Sequence, residues 1–163
     1  MSKLHAGEPI IEHPNRAKAA SKNSRAIVIV LLAISAVLIL VVLFGGWTGM
    51  QGMTIITLLW AIAYIGAAYF VSRWNRGVLP VLAALGIVML IFAALATGTW
   101  FDRDTIGYKG TSIGPATLGT LTAILIPVQA LLIIAALQAF GQQWNIEIEH
   151  WPDDEPEYAA AHA

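Results

Sequence analysis

AIVIVLLAISAVLILVVLF, residues 26–44, runs for nineteen positions without a charged side chain, and Ser35 is its only polar interruption. A helix needs about 20 mainly apolar residues to cross the ~30 Å hydrocarbon core of a bilayer. At about 1.5 Å per residue this stretch reaches roughly 30 Å. Three more stretches of the same kind follow, at about 53–71, 78–97 and 118–140, and none of the four contains Asp, Glu, Lys, Arg or His. One such helix can hide inside a soluble core. Four in 163 residues leave nothing to cover them. The pattern predicts an all-α fold: an up-down-up-down bundle of four transmembrane helices with polar cytoplasmic tails. Residues 1–25 form the N-terminal tail, 26–140 the transmembrane domain and 141–163 an acidic C-terminal tail.

Composition agrees. Hydrophobic residues make up 58% and charged residues 12%, against about 45–50% and about 25% in a soluble domain. Mean hydropathy is +0.71. A net charge of −1 without a Lys/Arg-dominated face argues against nucleic-acid binding. The absence of cysteine removes disulfide, thiolate and Cys-ligated metal chemistry. The first span begins late, exceeds the apolar length of a signal peptide and leads into Gly45-Gly46-Trp47, a poor cleavage site. It is expected to stay as an anchor.

Positive charge sets the expected orientation, because Lys and Arg near membrane spans favour the cytoplasm. Lys3, Arg16, Lys18, Lys22 and Arg25 precede the first span, and Arg73 and Arg76 join the second to the third. The opposite side has only Arg103 and Lys109, set against Asp102 and Asp104. Both termini are expected in the cytoplasm, with two hairpins facing out, in a cell (inner) membrane. Tryptophan prefers the interface, where an apolar ring meets a hydrated N–H. Trp47, Trp74, Trp100 and Trp144 each follow one span and are expected to act as interface anchors.

Lipid supplies no hydrophobic drive between helices, so small residues mark close packing. Candidates are Ala63, Gly66 and Ala67 in the second span, and Ala83, Gly86 and the Ala94-x-x-x-Gly98 step in the third. The short connection at 73–80 predicts that the third span lies beside the second. Pro127 removes a backbone hydrogen bond and predicts a kink in the fourth span. Gln129, two residues on, needs a partner in an apolar layer. Interhelical hydrogen bonding is the plain expectation for Gln129, with Tyr64 and Trp60 as further polar or packing positions. A small ligand path is the alternative.

The histidines His5, His13, His150 and His162 all lie in the tails, so haem ligation within the bundle has no ligands. The spans lack the inward carboxylates and Glu-x-x-His spacing of a di-metal bundle and the embedded ionisable residue usual in proton-coupled transport. No catalytic, cofactor-binding or metal-binding residue is assigned, no cofactor is expected, and the chain is not expected to be an enzyme. What specificity there is lies outside the spans. The segment 98–117 contains Trp100-Phe101-Asp102-Arg103-Asp104, a candidate partner-docking surface. Lys18, Lys22 and Arg25 suit anionic lipid. The C-terminal tail is acidic (Glu147, Glu149, Asp153, Asp154, Glu155 and Glu157), and its plain expectation is a disordered, solvated tail; the alternative is that Ile146-Glu147-Ile148-Glu149, which alternates like a strand, adds to a partner's sheet edge.

Trp100-Phe101-Asp102-Arg103-Asp104 after the third span and Gln142-Gln143-Trp144-Asn145-Ile146-Glu147 after the fourth carry a resemblance. With them the chain resembles small uncharacterised four-helix bacterial inner-membrane proteins, a family that implies no activity and no site residue. General architecture is similar to accessory subunits of respiratory complexes. The expected function is a non-catalytic accessory or scaffold subunit of a larger membrane complex, with the lipid bilayer and other membrane-protein subunits as partners. The alternatives are a small homo-oligomeric transporter or channel component, and a membrane-bound enzyme or lipid-binding protein using 98–117.

Overall fold

A computed structural model describes residues 9–151 and Ala160. Lys3, His5, Asp153, Asp154, Glu155, Glu157 and His162 lie outside the described residues. A short strand β1 (Ile10–Glu12) and one turn of helix, α1 (Pro14–Ala17), lead into α2 (Ala19–Gly45). Then come α3 (Thr54–Ser72), α4 (Val78–Thr105), α5 (Pro115–Gly141) and a last strand β2 (Ile148–His150). The protein is all-helical apart from this strand pair, and α2 to α5 are long and apolar enough to cross a membrane.

Helix is the one form in which an apolar segment satisfies its own backbone. The hydroxyl side chains follow the same rule. Ser35, Thr57, Thr97, Thr99, Thr120 and Thr122 each donate to the carbonyl four residues back on their own helix. Helix ends use specific residues. Pro115 sits in the first turn of α5, where its missing N–H costs nothing. Asp104 Oδ1 accepts from the Ala116 N–H at 3.3 Å, doing the work of a cap. After α3 the chain closes a Schellman motif, Trp74 N to Val71 O and Asn75 N to Phe70 O. The left-handed position is held by Trp74 (φ 61°) instead of glycine.

Two helices are longer than hydropathy predicts. α2 starts at Ala19, seven residues before the apolar stretch, and its first turns hold Lys22 and Arg25. α4 continues to Thr105, so Trp100 to Asp104 are helical and the connection to α5 shrinks to residues 106–114. α4 passes Gly98 unbroken and stops just before Gly107 (φ 69°), and Trp100 anchors the extension by packing under the turn at Gly46 and Gly49. α5 runs through Pro127 without interruption, and the proline itself is exposed.

The helix order in space differs from the order in sequence. α4 packs mainly on α5 and touches α3 only sparsely, while α2 packs on both α3 and α5. The expected closeness of the second and third spans fails because α4 packs on α5, with Gly86 at the close approach. Ala83, Gly86 and Ala93 are buried, whereas Ala94 and Gly98 are exposed. A Cβ at Gly86 would come within 2.9 Å of Ile133 Cγ1 and 3.7 Å of Gln129 Oε1. Gly86→Leu is therefore expected to force α4 off α5 and cost about 1–3 kcal/mol. Gly66→Leu, where a Cβ meets nothing within 4 Å, serves as the control. Denaturant unfolding in micelles compares the two.

Candidate functional site

Three arrangements use the chain's polar side chains. The first lies halfway along the bundle. Gln129 on α5 is 0% exposed. The Tyr64 hydroxyl on α3 donates to Gln129 Oε1 at 2.7 Å, and Gln129 Nε2 donates to Ser35 Oγ on α2 at 2.9 Å. Ser35 in turn donates to Leu31 O at 2.8 Å. Ser35 and Tyr64 are also 0% exposed. Three helices are thus stitched by one amide, whose oxygen and nitrogen both have partners. The Trp60 indole Nε1 lies buried beside the Tyr64 hydroxyl without a well-formed hydrogen bond to it, and its ring meets Phe92 edge-on at 5.8 Å. Gln129, Tyr64 and Trp60 come together as polar neighbours. Pro127 faces away. Sequence reasoning passed over Ser35 as a partner, although it was the only polar residue in its span.

The second arrangement binds the two tails to the helix ends. β1 and β2 pair antiparallel, with Ile10 opposite His150 and Glu12 opposite Ile148. The sheet edge that Ile148 and Glu149 meet is thus the chain's own N-terminal tail and not the partner's edge expected from the alternation. Asn15 Nδ2 donates to Gln143 O at 3.0 Å and Arg16 Nε to Trp144 O at 2.9 Å. Gln142 Nε2 donates to Ser24 Oγ at 2.7 Å. Arg76 donates to Phe140 O and Asn145 Oδ1, both at 2.9 Å, and Arg25 to Ser72 O at 3.3 Å. Cations placed at helix C-termini also complement the helix dipole. Trp144, 0% exposed, stands edge-on to Trp74 at 5.2 Å, and Arg25 covers the Trp74 ring at 4.2 Å. Two His–Glu contacts close the outside: His150 Nε2 with Glu12 Oε2 at 3.1 Å, and His13 Nδ1 with Glu147 Oε1 at 3.8 Å.

The third arrangement is at the opposite end. Ile113 seats against Gly45, and the N–H groups of Ser112 and Ile113 donate to Gly45 O. The Thr48 hydroxyl donates to Gly110 O. Trp100 is 4% exposed and Arg103 lies over its ring at 4.8 Å. Phe101, by contrast, is exposed and rests near Gly119. Of the four tryptophans that follow spans, Trp47 alone is more than half exposed; Trp100 and Trp144 are packing residues. Between α3 and α4, where the two helices part, an apolar cleft of about 250 Å³ opens, bounded by Met53, Trp60, Met89, Phe92, Ala96 and Trp100.

No group of three His, Asp or Glu side chains able to hold a metal gathers among the described residues. No family model, curated protein or solved structure matches the chain.

Proposed function

We propose that this chain is a non-catalytic integral membrane protein that serves as an accessory or scaffold subunit of a larger membrane assembly. In this reading the four helices run up-down-up-down through an inner membrane and both termini are cytoplasmic. The observation that carries the reading is the tail plate. The chain spends Asn15, Arg16 and Arg76 on holding its own tails in place, while Arg25 and Gln142 tie α2 to the ends of α3 and α5. The result is a fixed extramembrane surface with Ile11, Ile146 and Ile148 left exposed on it. An ordered, partly apolar surface outside the bundle suits a partner subunit. The closed Ser35–Gln129–Tyr64 network supports the same reading, since its polar atoms are occupied in joining helices and do not line a path.

Extraction from native membranes in mild detergent, followed by mass spectrometry of co-purifying chains, tests this. A reproducible set of membrane-protein partners is expected, and Ile11→Asp/Ile148→Asp is expected to release at least one of them. A monodisperse chain free of partners overturns the reading.

A further inference from the structure

At the Trp100 end of the cleft between α3 and α4, a cation stands without an ion-pair partner among the described residues. Arg103 lies one turn beyond Trp100 on α4. Its guanidinium covers the Trp100 ring at 4.8 Å and approaches Tyr108 at 6.0 Å. Its Nη1 would lie 3.0 Å from a Cβ at Gly49, next to Met50 on the cleft rim. Among the described residues the only side-chain ion pairs are the two His–Glu contacts at the far end. Neither Asp102 nor Asp104 pairs with Arg103, and Asp104 is engaged by Ala116. Among the described residues the guanidinium donors thus have no hydrogen-bond or ion-pair partner, and the group is half-sheltered over an aromatic ring. That setting favours a charge-assisted, two-pronged bond to a phosphate.

The cleft below suits an acyl chain. Met89 to Trp100 spans about 16 Å of helix rise, roughly half the hydrocarbon thickness. The hydroxyls of Thr57, Thr99 and Thr122 on its walls are turned onto their own helices, so the walls present methyl groups. Met53 and Met89 add unbranched side chains that adapt to an irregular guest.

We propose that this cleft binds one anionic phospholipid from the leaflet on the Arg103 side, with its phosphate on Arg103 and one acyl chain between α3 and α4. The site is independent of any partner subunit. Native mass spectrometry of the full chain tests it, titrating dioleoyl-phosphatidylglycerol and, separately, dioleoyl-phosphatidylcholine. One phosphatidylglycerol per chain is expected to bind more tightly than phosphatidylcholine. Arg103→Gln is expected to weaken phosphatidylglycerol about tenfold, as loss of a charge-assisted pair does. Leu95→Trp narrows the cleft mouth at a residue 67% exposed, a place where folding tolerates change, and is expected to weaken both lipids. Equal binding of the two lipids, or wild-type affinity in either variant, overturns the proposal.

Discussion

Trp144→Ala is expected to lower stability by about 3–5 kcal/mol, the cost of emptying a fully buried large aromatic site. The ring is enclosed between the ends of α3 and α5, edge-on to Trp74, and its Nε1 donates to Gln142 Oε1 at 3.1 Å. Its loss does more than open a cavity. Trp74 holds a left-handed backbone that costs a non-glycine residue about 1–2 kcal/mol, and its ring loses the partner it packs on. The Arg16 bond to Trp144 O then has a less rigid acceptor. The variant is therefore expected to melt lower and to expose both tails to limited proteolysis together. Trp47→Ala removes a ring that is 51% exposed and is expected to change stability by well under ~1 kcal/mol, in the range of ordinary surface substitutions. Equal effects at the two positions would contradict the tail plate as an anchor.

Gln129→Leu is expected to cost about 1–3 kcal/mol, because it leaves the buried Tyr64 hydroxyl without an acceptor. Ser35 suffers less, since it keeps its bond to Leu31 O. Interhelical hydrogen bonds between apolar helices average about 0.6 kcal/mol and reach about 1.7, so orphaning of the hydroxyl makes up the larger share. Removing that hydroxyl as well separates the terms: Tyr64→Phe/Gln129→Leu is expected to be closer to wild type than the sum of the single variants. A double-mutant cycle from denaturant unfolding in micelles reads the coupling. Additive losses would mean that Tyr64 and Gln129 do not share a bond.

The helices were legible in the sequence because one term dominates them. Uncharged runs of about 20 residues have a single economical home, and the observed helices contain every predicted span except Met53 at the start of the second. Their ends were not legible. Lys22 and Arg25 belong to α2, and Asp102 to Asp104 belong to α4. A helix leaving an apolar layer keeps its hydrogen bonds after its hydropathy has ended. The polar centre was half legible. Gln129 and Tyr64 stand out as polar groups among apolar ones, but which face each helix turns inward depends on neighbours that spacing does not reveal. The short link at 73–80 pointed to adjacency of the second and third spans. The α4–α5 contact, close enough at Gly86 that a Cβ there would meet Ile133, outweighs it, because close backbone contact and not connection length decides which helices touch. Of the alternating Ile146 to Glu149 only Ile148 and Glu149 enter a strand, and its partner is the chain's own Ile10–Glu12, which has no alternation long enough to signal pairing. The latching roles of Arg16, Arg25 and Arg76 were hidden behind their charge, since the same residues serve equally well to orient spans.

The chain has no cysteine, so single introduced thiols report without background. Lys18→Cys, Gln51→Cys, Asn75→Cys and Gly107→Cys place one thiol before α2 and one in each connection, all at exposed positions. A membrane-impermeant maleimide is applied to right-side-out and to inverted vesicles of cells carrying each variant. Four membrane crossings predict that 51 and 107 react from one side only and 18 and 75 from the other only. Reaction of neighbouring positions such as 18 and 51 from the same side would contradict the account.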